Sequence, residues 1–442
     1  MIVFENVIWL LVLIGVMILI HELGHFLAAR YFDVRVEVFS FGFGPRLFGF
    51  RRGETDYRFS AVLFGGYVKM AGEYLDNEEL RDDPRAYPCK PRWQRLIIAL
   101  AGPFMNIVLA VGLLTGLFMV KYQRLAEPSL RAVIGHVVPE SAAAKAGIRE
   151  GDRIVKMNGK DNPSWEDVTL AEVASAYKPL AVTIERDGQR FDKTVTPVLE
   201  ERMGVGFAGW AEKSDIQVGS VQPGMPAEKA GLRKGDLLIT ANGASIHSRY
   251  RLQEVIRSSE GKPVDIEFAR DGKPSRVAIQ PVLRKLEGVE RWIIGVDPEL
   301  RLQIITTRLS FPDALTESVR RNVQSATLIF QFLRGIIERR MSARSLDGPI
   351  RIAQLSGEAA REGPSAFTHL MSMVSLNLAV FNLLPIPILD GGVVLLLLIE
   401  MLMRRDLSLS VKEAVFKLGF VFLMIVVVFV LYNDITKVLP SG

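Results

Sequence analysis

Apolar residues in this chain are gathered in blocks rather than spread evenly. Residues 7–29 are apolar except at His21, Glu22 and His25. A helical run of about 20 residues matches the hydrocarbon thickness of a bilayer. No positively charged segment precedes it, only Glu5, so the pattern predicts a retained span rather than a cleaved leader. Residues 93–120, containing LIIALAGPFMNIVLAVGLLTGLFMV, predict a second span, and 415–432 predict a last one. Residues 369–403 are also apolar but interrupted by Pro385, Pro387 and Gly391-Gly392. They predict a broken span, since helix breakers at membrane depth are tolerated where backbone is packed by protein or lines a cavity. The expectation is four spans.

Two other patterns stand apart. At 311–337, Phe311, Leu315, Val319, Val323, Ala326, Phe330, Leu333 and Ile337 recur every three or four positions, with Arg320, Arg321 and Arg334 elsewhere. That predicts one long amphipathic helix. It would pack on the neighbouring exported domains or lie on the membrane surface, and its adjacency to a span favours the surface. At 35–70 the alternation has a period of two and predicts short strands, with GFGP (42–45) and FGGYVKM (64–70) at turns or edges.

The stretch between the second and third spans repeats itself. AKAGIREGDRIVKMNG (144–159) matches EKAGLRKGDLLITANG (228–243) at an offset of 84 residues. The same offset relates Arg186-Asp187-Gly188 to Arg270-Asp271-Gly272 and Pro197-Val198-Leu199 to Pro281-Val282-Leu283. Each copy reads as alternating strands, a short helix and an Asp-Gly hairpin turn. The segment Gly204-Val205-Gly206-Phe207 is either a carboxylate-binding loop opening the second copy or a strand closing the first, and Ile294-Gly295-Val296 echoes it.

Composition adjusts this picture in three ways. The 442 residues are 49% hydrophobic and 23% charged, and the mean hydropathy of +0.22 reflects the blocks. The net charge of +5 comes without an aromatic-interleaved basic stripe, so nucleic acid is not an expected partner. Cys89 is the sole cysteine, which excludes an intrachain disulfide and a thiolate metal site. Basic residues concentrate at 30–95 and at Arg404, Arg405 and Lys412. The positive-inside rule therefore puts those two loops in the cytoplasm, and both termini with the repeats outside.

The chemistry lies in His21-Glu22-Leu23-Gly24-His25. An H-E-x-x-H spacing on a helix puts two imidazoles on one face for a tetrahedral zinc, with the glutamate as general base. A packed core histidine is the plain alternative for either residue. Three ionisable side chains within one turn of a span, however, each cost about 2–3 kcal/mol on insertion scales. A merely structural role does not require that cost. Catalytic zinc needs a third protein ligand, and Asp390, in the broken span, is the best candidate. Glu400 is the rival, but its position near the cytoplasmic end beside Arg404 reads as solvated. His369 lies at the outer end. His21 falls roughly 22 Å into a core about 30 Å thick, and Asp390 reaches a similar depth.

HELGH in the first span, FGGYVK (64–69), AGPFMN (101–106) and NLLPIPILDGG (382–392) together resemble the site-2 protease family over essentially the whole chain. The repeats resemble PDZ domains of the bacterial protease-associated type. The resemblance implies a polytopic α-helical membrane protein of four spans, with two tandem α+β PDZ domains and a small membrane-associated β region. Its parts are the first transmembrane helix at 1–30, the β region and loop at 31–92 and the second helix at 93–120. PDZ domains follow at 121–203 and 204–283, then a linker and amphipathic helix at 284–364. The broken third helix occupies 365–403, and the fourth helix with the C-terminus 404–442. By motif, His21, His25 and Asp390 would hold one Zn2+ per chain and Glu22 would be the catalytic base. Phe64, Gly65, Gly66 and Tyr67 would hold an unwound substrate by strand addition. Asn382 would either bond the substrate or cap the helix break. Implied partners are a single-span anti-sigma factor already cut by a first protease, remnant signal peptides and the lipid bilayer of a bacterial inner membrane. Two other classes compete: a membrane-tethered scaffold with a vestigial metal site, which the intact Glu22 argues against, and a zinc transporter, for which no ligands line a path.

Overall fold

The computed structural model describes residues 2–73, 83–125, 131–200, 204–286, 289–301, 304–338 and 348–438. Its longer helices are α1 (Ile2–Tyr31), α2 (Arg92–Val120), α3 (Trp165–Val173), α4 (Arg249–Ser258), α5 (Phe311–Ile337), α6 (Pro349–Glu362), α7 (Pro364–Asn382), α8 (Asp390–Met403) and α9 (Leu409–Val438). The chain forms two compact units. One comprises Met1–Tyr122, Thr307–Phe330 and Leu346–Leu439, the other Gln123–Thr306 with Gln331–Ser345.

In the first unit, three of the described helices, α1, α2 and α9 (over 409–436), are long and apolar enough to cross a membrane. The expected third span is two shorter helices, α7 and α8, separated by residues 383–389. The break has a local cause. Pro385 and Pro387 cannot continue a helix, and Ile388 adopts a positive φ of 87°. The linker then folds back over the start of α8. A Cβ on Gly391 would stand 2.2 Å from the Leu384 carbonyl oxygen, and one on Gly392 2.4 Å from that of Ile386.

Helix α5 has the bounds its periodicity predicts, and the apolar face that the spacing marks is its exposed face. Ala314, Ser318 and Asn322 are buried, whereas Phe311, Leu315, Val319 and Val323 are exposed. The buried face is made of small residues: Ser318 donates to the Val111 carbonyl of α2 at 2.8 Å. Small, hydroxyl-bearing contacts are typical of helices that pack within lipid. Helix α6, inside the expected linker, was not anticipated. It packs on α1 and α7, and the Asp434 carboxylate of α9 accepts the Gly348 and Ile350 amides at its N-terminus, both at 2.9 Å.

Residues 35–70 form a hairpin, β1 (Val36–Arg52) and β2 (Thr55–Met70), folded on itself into the short strands expected: 36–41 pairs with 66–70 on one side and 56–59 on the other, and 56–59 pairs in turn with 48–51. GFGP lies where β1 bends between its two paired segments, and residues 66–70 of FGGYVKM pair on one side only among the described residues, a turn and an edge as expected. Gly42 and Gly44 take positive φ where the register slips, so they mark bulges.

In the second unit the repeat is visible side chain by side chain. The first copy pairs Arg153–Met157, Leu180–Arg186 and Gln189–Val195. The second pairs Leu237–Ala241, Val264–Arg270 and Lys273–Ile279. Asp187-Gly188 and Asp271-Gly272 both have positive φ, as the two-residue hairpin turns require. Each copy carries the same buried ion pair, Asp152 with Arg186 and Asp236 with Arg270, at 2.6–2.7 and 2.7–2.8 Å.

The copies end later than 203 and 283, however. Trp210–Glu212 pairs with Ile134–Val137 of the first copy, and Ala208 and Trp210 join its core. Val296–Leu300 closes the second copy against Ile216–Val221. The segment after Gly204 therefore belongs to the first repeat. A returning strand contributes to the sheet of the copy it follows, which an ungapped offset cannot reveal.

Candidate metal centre

Helices α1 and α2 cross where both lack side chains. A Cβ on Gly24 would come within 2.3 Å of the Ala101 carbonyl oxygen, and one on Gly102 within 2.3 Å of His25 Nε2 and 2.8 Å of His21 Cε1. Backbone contact at this crossing leaves the space that the two imidazoles fill. Helix α7 is fastened beside it by Ser375, which donates to the Asn106 carbonyl at 2.9 Å, and by Ser372, which donates to that of Ala110 at the same distance. The chain then breaks and Asp390 opens α8.

These elements bring His21, His25 and Asp390 together, with one ligand atom from each within 4.8 Å of the others. The two Nε2 atoms are 3.3 Å apart. Asp390 oxygens lie 3.1 Å from His21 Nε2 and 3.5 Å from His25 Nε2. Donors at zinc-ligand distance in a tetrahedron stand about 3.3 Å apart, so the triangle fits one such ion. Outer contacts agree. His25 Nδ1–H donates to the Ile98 carbonyl at 2.8 Å, leaving the Nε2 lone pair free. His21 Nδ1 lies 3.2 Å from the amide of Asn106, a fully buried residue whose other amide atom, Oδ1, has no partner among the described residues. An imidazole offering Nε2 to a metal carries its proton on Nδ1. It therefore needs an acceptor there, and Asn106 supplies one once its amide is turned to present the oxygen.

Glu22 sits between this triangle and the hairpin, with its carboxylate facing the Val68 amide of β2. Gly66 lies so near that a Cβ would be 3.2 Å from Glu22 Cγ. Of the other expected β2 residues, Gly65 passes over the Phe43 ring, and Tyr67 stacks on Phe43 with 6.1 Å between centroids. The side chain of Phe64 lies outside the described residues. Asn382 is the last residue of α7, half-buried at the lip of the break.

Glu400 is not solvated. It is only 1% exposed, receives Lys412 Nζ at 2.6 Å and the Leu407 amide at 3.0 Å, and has Arg95 at 3.7 Å. These partners remove it as a rival ligand by committing it to an ion cluster that joins α8 to the start of α9 and to α2. Sequence reasoning missed Asn106, Gly102 and the Ile98 carbonyl. Asn106, a polar residue within an apolar span, was the available signal.

The description "Peptidase family M50" matches residues 9–426. The chain belongs to peptidase family M50. This M50 chain, a member of the site-2 protease family, is 29% identical to a putative zinc metalloprotease of Vibrio cholerae, with 98% of each chain covered. It is 30% identical to the regulator of sigma-E protease RseP of Salmonella typhimurium and 29% identical to that of Escherichia coli, with 97% of each chain covered. Among solved structures, the PDZ domain of an SdrC-like protein from Listeria monocytogenes covers 20% of this chain and 90% of its own at 24% identity. Its TM-score of 0.18 is too low to carry a fold argument. As an M50 member the protein is a transmembrane zinc metalloprotease of the kind its relatives are named for.

Proposed function

We propose that this protease holds one zinc ion per chain on His21, His25 and Asp390, and cuts within the membrane-embedded helix of a single-span protein. The observation that carries this reading is the closure of the three-donor triangle beside Glu22 at the crossing of α1 and α2. A zinc ion held there supplies Lewis-acid activation of the scissile carbonyl and of water. Glu22 takes the proton of the attacking water and returns it to the leaving amine. Asn106 and the Ile98 carbonyl hold the imidazoles in the tautomer that ligation needs.

A helical substrate hides its scissile amide in its own hydrogen bonds and must be unwound. The β1–β2 hairpin supports strand addition as the means, because β2 reaches Glu22 and its Gly66 leaves no side chain in the way. Asn382, at the lip of the break, is the candidate donor to the substrate backbone.

The biological reading is cleavage of an anti-sigma factor after a first protease has removed its outer part, together with clearance of remnant signal peptides, at a bacterial inner membrane. It includes four spans counting α7–α8 as one, both termini in the periplasm, and two periplasmic PDZ domains. In sequence the repeats separate the HExxH half from the Asp390 half, which suits a steric filter against substrates with intact outer domains. The test is a cleavage assay with purified, zinc-loaded protein on truncated and intact single-span substrates. Cutting of the truncated form alone is expected, with intact substrate cut once both repeats, residues 131–300, are deleted. No cleavage of either form overturns the reading. Equal loss on both after the deletion would make the repeats a recruiting device rather than a filter.

A further inference from the structure

One of the two buried positions of the same helix changes from apolar to charged between the repeats. Residue 172 of α3 corresponds to residue 256 of α4 at the common offset. In the second copy this is Ile256, packed in the apolar core with Leu252 and Ile294. In the first it is Glu172, a carboxylate only 8% exposed. Such a group is costly to bury unless its lone pairs are used.

They are used by the returning segment. Ala208 N–H donates to Glu172 Oε1 at 2.6 Å and the Trp210 indole N–H donates to Oε2 at 2.9 Å, while the Gly209 amide faces the same carboxylate. Gly209 has φ +87°, and successive amides turned to one anion around a positive-φ glycine form a nest. The segment is held in place from elsewhere as well. The carbonyls of Ala208 and Gly209 accept the Ala143 and Val138 amides, as those of Ile294 and Gly295 accept Ala227 and Gln222 in the second copy. Both copies therefore present the same loop, and the first copy alone places a carboxylate against it. Trp210–Glu212 pairs on one side with Ile134–Val137, and no strand occupies its other edge among the described residues. An amide nest leading into a free strand edge is the arrangement that captures a chain-terminal carboxylate.

We propose that the first repeat is a carboxylate-binding module occupied by its own ligand: Glu172 fills the nest at 208–210, and an external chain end is taken there only when Glu172 is absent or displaced. The inference rests on the PDZ-type reading of the repeats and is independent of the metal centre, so its test measures no proteolysis.

The test uses full-length protein in detergent, wild type, Glu172→Ile (the second copy's residue) and Glu172→Gln. Hydrogen exchange is followed over 207–212. Wild-type protein should protect the Ala208 amide. Loss of a charged hydrogen-bond partner should speed its exchange by at least about tenfold in Glu172→Ile, and less in Glu172→Gln, which keeps one acceptor. Added acetate should restore protection in Glu172→Ile, and acetamide should not. A short apolar peptide with a free carboxylate should bind Glu172→Ile with one site more than wild type, and the amidated peptide should not gain that site. Unchanged exchange in both variants overturns the proposal, as does equal rescue by acetate and acetamide. Acetate rescue without peptide gain keeps the internal ligand and sinks the peptide-module reading instead.

Discussion

The two units of this protein differ in what accompanies their apolar interiors and in what they turn outward. In the repeats, Ile154, Leu180 and Ile184 of one copy and Ile216, Leu252 and Ile266 of the other are enclosed, as expected where water drives apolar side chains inward. In the helical unit the enclosed positions include His21, Asn106, Ser372, Ser375 and Glu400, while Phe420, Val421, Ile425 and Val428 point outward. Lipid removes the hydrophobic reward for burial, so small residues and hydrogen-bonding groups share this interior with apolar side chains such as Leu13, Met17 and Ile98. The candidate metal centre lies in the helical unit, where α1 and α8 bring His21, His25 and Asp390 to one point.

Removing that polar interior is the severest way to break the contrast. Glu22→Gln should lower cleavage at least about a hundredfold while keeping zinc, since it deletes a base and not a ligand. Asp390→Ala should lose zinc and activity together. Metal analysis beside a cleavage assay separates the two, and an Asp390→Ala protein with normal zinc would remove Asp390 from the ligand set.

A second prediction puts the exception, a carboxyl in the apolar-cored unit, to work. Burial pushes Glu172 up to about 7, against the lowering influence of the Ala208, Trp210 and Gly209 donors. Its folded value therefore exceeds its unfolded one, and the native state holds the extra proton between them. Its contribution is fullest below about pH 4.5 and is lost as pH rises through about 7, on the order of 3 kcal/mol in all. Thermal melts of Glu172→Gln across that window should be flatter than those of wild type. Parallel curves would show that the carboxyl is not titrating there.

Outward faces sharpen the comparison. Val428→Arg, on the exposed face of α9, should cost about 2–3 kcal/mol of membrane insertion. Val198→Arg, similarly exposed in the first repeat, should stay within about 0.5 kcal/mol. Comparable penalties at both sites would mean that α9 does not face lipid.

The mildest test stays within α2. Gly102→Ala drives a methyl into both imidazoles and should reduce zinc occupancy and activity about tenfold, the effect of about 1.4 kcal/mol. Gly112→Ala, whose Cβ meets nothing within 4 Å, should leave activity unchanged. Equal behaviour of the two variants would rule out close approach at Gly102 as the reason for its glycine.

The contrast also sets what was legible in the sequence. Long apolar runs gave α1, α2 and α9, and a three-to-four spacing gave both ends of α5. Spacing marked the apolar face of α5 but not what its opposite face packs with: Ala314, Ser318 and Asn322 are buried while Phe311 and Val323 are exposed. Helix α6 was read as linker because its packing face is Ser356 and Gly357 between Pro349 and Gly363. His21, Glu22 and His25 were local in sequence and therefore readable. Asp390 was inferred from the cost of an unpaired carboxylate at depth. Glu400 misled because Lys412 and the Leu407 amide, which hold it, lie beyond a turn that the pattern did not foresee.

The donor triangle spans 365 residues of chain, from His25 to Asp390. During synthesis the two imidazoles are in place long before their carboxylate has been translated. Helix α6, which braces α1, is capped later still, by Asp434 near the end of α9. The ribosome thus delivers a chain without its third donor for most of its elongation, and the protease matures only with its last helices.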